Sequence, residues 1–238
     1  MEKLCVILLS YKRQQNIQFI AETILKCPFV DKLIISNSNP EFEIDPWVDI
    51  KDDRLEIINH QSKQGCGSRW DILRKQPYDF FMSIDDDVFL KPEQIETLFN
   101  QLVADGSRPH GLFGSNWKIL DYETKLLDRH FSAEIDKTVD LIHQVYAVKK
   151  KHIEKYFELR DVLLSKTPDV VSYIDAFSDD ILISHCGTAK PKVHNADKLT
   201  ECKTKAKDGI ALCAAEDFLS KRADVYYHLT ETRSDLLD

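Results

Sequence analysis

The 238-residue chain has no long hydrophobic run and no signal-peptide pattern. A membrane-spanning helix needs about 18 or more consecutive apolar residues, and no such stretch is present. The chain enters the apolar residues 4–9 directly, without the charged and hydrophobic regions of a secretory signal. We therefore expect a soluble, cytoplasmic protein, or a soluble part cut from a longer parent.

Glycine-rich phosphate loops and an excess of basic residues are also missing. The chain has only 7 glycines, and neither G-x-G-x-x-G nor G-x-x-x-x-G-K-[ST] occurs, which argues against dinucleotide and P-loop sites. The formal net charge of −8 argues against a nucleic-acid partner, which normally meets a basic surface. A small anionic ligand is still compatible with this charge, because a few arginines and a metal ion can outweigh it locally.

Cysteine pairs with the spacing of metal or redox sites are absent as well. The six cysteines are scattered, and none forms a C-x-x-C pair, which argues against a zinc ribbon or a thioredoxin-like site. Cys186, His194 and Cys202 match no familiar zinc spacing. We expect the cysteines to be reduced and structural.

Strand-like and helix-like segments alternate through the first half of the chain. Apolar runs predict strands at residues 4–10, 32–36, 54–59 and 80–84. Apolar residues at helical spacing and turn signals predict helices at residues 13–27, 67–76 and 92–102. This order predicts an α/β fold with a mainly parallel central sheet, built from right-handed βαβ units with helices on both faces.

The second half has a more mixed pattern. It predicts strands at residues 111–117, 139–148 and 190–194, and helices at residues 151–164, 179–186 and 214–227. No internal repeat or low-complexity linker divides the chain. We expect a single domain over residues 1–238, made of two halves at 1–106 and 107–238.

Three adjacent carboxylates, Asp85, Asp86 and Asp87, follow directly on the strand predicted at residues 80–84. Carboxylates are almost never fully buried unless they are paired or bind a metal. The simplest arrangement ends the strand at Asp85 and opens the triplet onto Mg²⁺ or Mn²⁺, hard cations that prefer oxygen ligands and suit a phosphorylated substrate. The alternative is a plain turn, because turns favour Asp.

Polar side chains also follow the other predicted strands of the first half. In an open α/β sheet, ligands bind outside the carboxyl ends of the strands, so these groups should converge. Each has a simpler alternative, since an arginine can cap a helix or lie in solvent and an asparagine can serve a turn. Arginine can also bind a diphosphate through two donors. The candidates are Ser10, Tyr11, Arg13, Asn37, Gln64 and Arg69.

A second acidic pair, Asp179 and Asp180, begins the helix predicted at residues 179–186. Taken alone, the pair is typical of a helix N-terminus, where capping and the macrodipole favour carboxylates. It gains weight because the chain already contains an acidic site of metal-binding type. Lys221 and Arg222 lie on the last predicted helix, whose simplest interpretation is a solvated amphipathic helix.

These motifs together resemble the GT-A glycosyltransferases, and more closely the exostosin type (glycosyltransferase family sixty-four), over nearly the whole chain. Ser10-Tyr11-Lys12-Arg13 is similar to the family's Thr-Tyr-x-Arg segment. Asp85-Asp86-Asp87 is similar to its Asp triplet, and Ser178-Asp179-Asp180-Ile181 to its Cys-Glu/Asp-Asp-Ile motif. The resemblance implies a GT-A fold, a UDP-sugar donor, a saccharide acceptor, and Mn²⁺ or Mg²⁺.

The resemblance also implies roles for individual residues. Asp87 would bind the metal directly, with Asp85 as a second ligand or, like Asp86, as a contact of the ribose and the sugar. Asp180 or its neighbour Asp179 would be catalytic. Residues 1–106 would form the nucleotide-sugar and metal half, and residues 107–238 the acceptor half. The nucleotide and its diphosphate would be met by Ser10, Tyr11, Arg13, Asn37, Gln64, Arg69 and Arg222, with Lys221 as the alternative to Arg222.

The sequence departs from the family pattern at two informative positions. Gln64 replaces an Asn, which changes the expected uracil contact. Ser178 replaces a Cys that forms a disulfide in secreted members, and the partner region near Asp224 and Val225 also lacks Cys. Loss of both halves of that disulfide agrees with a reducing compartment.

The resemblance leads to the hypothesis of a metal-dependent glycosyltransferase of polysaccharide biosynthesis, which moves a sugar, an N-acetylhexosamine, from UDP to a hydroxyl group. It also implies that the configuration of the sugar is retained. One alternative is a phosphohydrolase with Asp85 as nucleophile and Asp87 as acid, and another is an inactive nucleotide-sugar-binding protein. Trp70 and Trp117 could stack on sugar faces, although we expect core packing for both. His194 could be an extra metal ligand, although we expect a surface position. The oligomeric state is not predicted.

Overall fold

The computed structural model describes residues 2–120, 123–200, 202 and 217–233. Within these residues, nine strands form one sheet. Helices cover both faces of the sheet. The predicted α/β architecture is therefore confirmed.

The first half follows the expected alternation closely. Its strands are β1 (Leu4–Ser10), β2 (Val30–Asn37), β3 (Leu55–Asn59) and β4 (Phe80–Ile84), and its helices are α1 (Gln14–Leu25), α2 (Ser68–Leu73) and α3 (Pro92–Ala104). A short 3₁₀ helix, Asp45–Trp47, lies between β2 and β3. All neighbouring strands of this half are parallel. The runs at β1 and β4 are almost wholly apolar because both of their faces are covered; Ser83 is the one polar residue within β4.

The second half makes the sheet mixed rather than mainly parallel. Its strands are β5 (His110–Leu120), β6 (Glu123–Phe131), β7 (Lys137–Thr138), β8 (Leu141–Lys149) and β9 (Lys192–Val193). Four of the eight pairings in the described sheet are antiparallel, namely β4–β8, β5–β8, β5–β6 and β7–β9. The order across the sheet is β3-β2-β1-β4-β8-β5-β9-β7, and β6 pairs with β5 outside that path. Sequence patterns missed β6 and the hairpin that it forms with β5.

The helices of the second half pack against one face of the sheet. They are α4 (Lys150–Lys166), α5 (Pro168–Tyr173), α6 (Asp179–Ser184) and α7 (Phe218–Thr232), with a π-helical turn, Ile174–Ser178, between α5 and α6. The helix predicted at residues 214–227 begins at Phe218 in the described part, and residues 214–216 lie outside it.

Two apolar clusters, one on each face, hold the layers together. β1 shows the division, because Leu4, Val6 and Leu8 face α1 and α3, whereas Cys5 and Ile7 face the opposite helices. This alternation is the period of two that a strand imposes on its side chains. The same period decides where the acidic residues beyond β4 point.

The expectations for single aromatic, histidine and cysteine residues can now be compared with the structure. Trp70 and Trp117 are buried, which confirms core packing. His194 is not a surface residue: it is 1% exposed, and its Nε2 lies 2.7 Å from Nδ1 of His110. Five cysteines in the described ranges are free thiols, and Cys213 lies outside those ranges. In the same ranges, no helix has both the length and the apolar character that crossing a membrane demands.

Candidate functional site

The candidate site lies at the carboxyl edge of the parallel strands, where the chain reverses its order in the sheet. From β1 the chain winds outward through β2 and β3, and it then returns to place β4 on the other side of β1. Ligands of open α/β sheets bind at such a switch point. Tyr11 and Arg13 follow β1 here, and Asp85–Asp87 follow β4.

The three aspartates do not share one direction. Asp85 continues the strand alternation toward α2, where Nη1 of Arg69 donates to its Oδ1 at 2.9 Å. Asp86 points toward α1, where Nη1 of Arg13 donates to Oδ1 at 2.7 Å and the backbone N–H of Tyr11 to Oδ2 at 3.0 Å. Consecutive side chains thus face opposite sides of the sheet. The expectation that all three carboxylates bind one cation is therefore corrected, because Asp85 and Asp86 point away from each other. The described residues contain no convergent group of three metal ligands.

Asp87 has the longest contacts of the three carboxylates. Its Oδ1 accepts from Nε2 of Gln144 at 3.2 Å, and its Oδ2 lies 3.5 Å from Nη2 of Arg13. It lines a cavity of about 370 Å³, together with apolar Phe89 and Phe113. Among the three, it is the carboxylate that lines this cavity, where a ligand could reach it.

Asp179 is held deep in the structure. Its Oδ2 accepts from Nε1 of Trp70 at 2.7 Å and lies 3.1 Å from Nε of Arg69. Arg69 is 1% exposed. Its guanidinium contacts both Asp85 and Asp179, so it connects the two acidic positions. An arginine in this position does not reach a diphosphate outside the sheet, which corrects the expectation for Arg69.

Asp180 has the most complete set of partners. Arg222 donates to both of its oxygens, at 2.7 and 2.6 Å, the Nδ1 of His143 lies 2.8 Å from Oδ2, and the backbone N–H of Ile181 donates to Oδ1 at 2.9 Å. Burial by itself raises the pKa of this carboxyl, but Arg222 and His143 more than offset it, so the pKa of Asp180 is lowered. The side chain is thus a fixed negative charge rather than a proton donor.

His143 extends this arrangement toward β5. Its Nε2 lies 2.8 Å from Oγ of Ser115, so Asp180, His143 and Ser115 form one hydrogen-bonded chain. Sequence reasoning missed His143 and Gln144, which are neighbours on β8 and contact Asp180 and Asp87 respectively. A signal existed, because two consecutive polar residues interrupt an apolar strand at this point.

The loop after β3 is fixed by close packing. A Cβ on Gly65 would lie 2.0 Å from the carbonyl oxygen of Asp175, so the loop backbone contacts the π-helical turn directly. The N–H groups of Cys66 and Gly67 donate to that turn at 3.1 Å each. These contacts place the start of α2, and hence Arg69, against α6.

The remaining predicted residues serve local structure to different degrees. Asn37 is buried and donates to Phe42 O at 2.7 Å and to Asn59 Oδ1 at 3.0 Å, so its amide is occupied and the expected nucleoside contact is corrected. Gln64 donates to Ser62 O in its own loop at 2.9 Å. The hydroxyl of Ser10 is buried without a hydrogen-bond partner in the described ranges.

Three further predicted contacts of the nucleotide or its diphosphate have different surroundings, namely Tyr11, Lys221 and Arg222. The Tyr11 ring is half-buried and has Nζ of Lys12 at 5.3 Å and of Lys63 at 5.1 Å from its centre. Lys221 pairs with Asp217 one turn earlier on the helix. Arg222, not Lys221, is therefore the cation that enters the acidic site.

The acidic network carries more negative than positive charge. Among the described residues it joins five carboxylates (Asp85, Asp86, Asp87, Asp179 and Asp180) to three guanidiniums (Arg13, Arg69 and Arg222), a difference of five minus three, or −2, when all are ionised. Burial raises the pKa of Asp85 to about 7 and also raises the pKa values of Asp86 and Asp179. A divalent cation would supply the missing positive charge.

The residues present fit such a cation. Mg²⁺ and similar ions are commonly held by one or two carboxylates plus the phosphates of a substrate, rather than by a full protein cage. Asp87 offers one such carboxylate beside the cavity. Arg13 also keeps buried donors on Nε and Nη2 that have no hydrogen-bond partner in the part of the chain the structure describes, and an anionic ligand could use them.

Comparison with known proteins bears on the fold. No protein-family model matches the sequence, and no curated protein matches it. Among solved structures, GalNAc-T7 with UDP, GalNAc and Mn²⁺ is similar over 96% of this chain, with a TM-score of 0.60 and 10% sequence identity. The chain spans 48% of that structure. A CMP-2-keto-3-deoxy-manno-octonic acid synthetase complexed with CTP is similar over 66% of this chain and 78% of its own, at 13% identity and a TM-score of 0.44. The likeness to GalNAc-T7 over 96% of the chain shows a mixed α/β fold of the GT-A type.

Proposed function

We propose that the chain is a metal-dependent glycosyltransferase that transfers a sugar, an N-acetylhexosamine, from a UDP-sugar to a hydroxyl group of a saccharide acceptor. The observation that carries the proposal is the acidic network, with five carboxylates against three guanidiniums, at the carboxyl edge of a GT-A-type sheet and beside a cavity of about 370 Å³. The similar GalNAc-T7 structure contains UDP, GalNAc and Mn²⁺, which supports the choice of donor and metal.

Asp87, with Asp85 as a second candidate, would hold Mn²⁺ or Mg²⁺. A divalent cation at this position supplies electrostatic stabilisation of the negative charge that builds on the departing UDP. Arg13 lies between Asp86 and Asp87, and it would assist through Nε and Nη2, the two donors that have no hydrogen-bond partner in the described ranges. Arg69 and Arg222 would act indirectly: Arg69 would hold Asp85 and Asp179 in place, and Arg222 would keep Asp180 ionised and in place.

Asp180 would stabilise positive charge on the sugar ring in the transition state. All of its acceptor directions are occupied, by Arg222 twice, by His143 and by the N–H of Ile181. A carboxylate in this condition and with a lowered pKa is suited to a fixed electrostatic role and poorly suited to taking a proton from an acceptor hydroxyl. Asp179, bonded to Trp70, would serve to place α6.

The finer classification is also a proposal. The likeness of the Asp triplet and of the Asp179–Asp180 motif to the exostosin type supports retention of the anomeric configuration. The division into a nucleotide-sugar half, 1–106, and an acceptor half, 107–238, is proposed on the same basis. The configuration of the product, read by nuclear magnetic resonance, tests the first of these.

One rival has a specific observation in its favour. A nucleotide-sugar-binding protein without turnover would be consistent with the closed set of contacts around Asp180 and Arg222. The phosphohydrolase alternative has no such support, because Asp85 is paired with buried Arg69.

The test is calorimetric screening of UDP-sugars with Mn²⁺, followed by mass spectrometry of products from an acceptor panel. We expect one UDP-sugar to bind and to be transferred. Asp180→Asn should keep donor binding and lose transfer, whereas Asp175→Asn, at a surface pair with Arg160, should change neither. Normal transfer by Asp180→Asn would place the essential carboxylate elsewhere. Donor binding without transfer would favour the inactive binding protein, and release of phosphate from a phosphomonoester would favour the phosphohydrolase.

A further inference from the structure

Gln144 has a backbone conformation that is unusual for its position. It lies within β8, yet its φ is 59°, in the left-handed region, and only Asp197 shares a positive φ among the described non-glycine residues. The pairing of β8 with β5 shifts here, since Gly111 is opposite Tyr146 while Phe113 is opposite His143. One extra residue of β8 is thus accommodated as a β-bulge, a feature that often re-aims a side chain next to a functional site.

The bulge brings two groups of Gln144 to the acidic turn, Asp85–Asp87, and a third group to Tyr146. Its carbonyl oxygen accepts from the N–H of Asp85 at 3.0 Å, and its N–H donates to the hydroxyl of Tyr146 at 3.0 Å. Its side-chain Nε2 donates to Oδ1 of Asp87 at 3.2 Å, and the residue lines the 370 Å³ cavity with Asp87. One residue therefore contacts the acidic turn at both ends.

The backbone and side-chain contacts have different requirements. A glycine would make both backbone contacts, and it would adopt a positive φ without the steric cost that a Cβ brings. Only the hydrogen bond to Asp87 needs the amide of Gln144. Strain of this kind persists where the surroundings impose it, and it concentrates at functional sites.

We propose that Gln144 is a positioning residue that orients the Asp87 carboxylate to receive a divalent cation and the diphosphate bound to it. This inference rests on the proposed function. The amide fixes Oδ1 of Asp87 from one side while Arg13 approaches Oδ2 from the other, so the carboxylate is aimed before a ligand arrives. Groups that orient a metal ligand typically change metal affinity about 10- to 100-fold when they are removed.

The test compares Gln144→Gly with Gln144→Ala. Both remove the amide, but Gly relieves the positive φ and Ala does not. We expect both variants to weaken Mn²⁺-dependent UDP binding about tenfold in calorimetry. In melting experiments on the metal-free protein, we expect Gly to melt about 2–4 °C above Ala. Asp197→Gly, at the other positive φ, is the control, and we expect it to leave the affinity unchanged.

The outcomes separate the inference from the proposed function. If the affinity loss follows melting temperature, with Gly like the wild type and only Ala impaired, Gln144 has a merely structural role and the inference is wrong. The same holds if the wild type binds Mn²⁺ and UDP together and both variants bind equally well. If the wild type shows no Mn²⁺-dependent binding, the proposed function and the inference both fail.

Discussion

Replacing Arg222 by Gln removes the main partner of a buried carboxylate. The side chains of Arg222 and Asp180 are 6% and 7% exposed, and the two charges meet through paired hydrogen bonds of 2.7 and 2.6 Å. Breaking one side of a buried ion pair costs about 3–5 kcal/mol, since the remaining charge has lost its compensation. For a domain of this size, that corresponds to a fall in melting temperature of about 6–20 °C.

The loss should depend on pH in a defined direction. In the wild type the folded pKa of Asp180 lies below its unfolded value, so the pair stabilises the protein at neutral pH and loses its effect as the pH falls through the folded pKa. In Arg222→Gln, burial raises the folded pKa above the unfolded one, so the variant loses stability as the pH rises. The deficit should therefore be larger at about pH 8 than at about pH 5.

The assay is urea unfolding of the metal-free protein at both pH values, monitored by circular dichroism. Lys155→Gln is the control, because Lys155 and Glu158 are 42% and 66% exposed and such a pair contributes about 0.5 kcal/mol or less. A deficit for Arg222→Gln below about 1 kcal/mol, or an equal deficit at the two pH values, would refute the reasoning.

Two further variants test the raised pKa of Asp85 and the hydrogen bond from His143 to Asp180. Asp85→Asn should make the stability less dependent on pH. The pKa of Asp85 is raised to about 7, so its ionisation destabilises the metal-free fold as the pH rises. The same change of melting temperature in wild type and variant between about pH 5 and pH 8 would contradict this. His143→Ala should lower kcat with little change in the KM for the donor, because it removes a 2.8 Å bond to Asp180 and no donor contact; a rise in KM with constant kcat contradicts the assigned position.

The first half of the fold was predictable because its signals are local. β4 matches the predicted strand at residues 80–84, and β1 matches 4–10, since each is a continuous apolar run that ends in polar residues. The hairpin partner β6 was missed. Its segment, Glu123–Phe131, contains six charged or polar residues and lacks the apolar run of a buried strand.

The position of the site was predictable from the sequence, but the contacts between its residues were not. Strand ends place Asp85–Asp87 at the sheet edge. No sequence spacing, however, predicts that Arg69 connects Asp85 to Asp179, which lies 110 positions after Arg69 in the chain. Pairings over such separations are set by how the layers pack. The alternation that sends Asp85 and Asp86 to opposite faces was readable from the sequence, and it argues against a single three-carboxylate grip.

The most direct test of the central claim is titration of UDP into wild-type protein and into Asp87→Asn, with and without Mn²⁺, by calorimetry. The account predicts binding that depends on Mn²⁺ in the wild type and loses that dependence in the variant. Because Asp87 makes only long contacts, of 3.2 and 3.5 Å, the variant should keep its metal-free melting temperature. Equal affinity for UDP with and without Mn²⁺ in both proteins would contradict the claim.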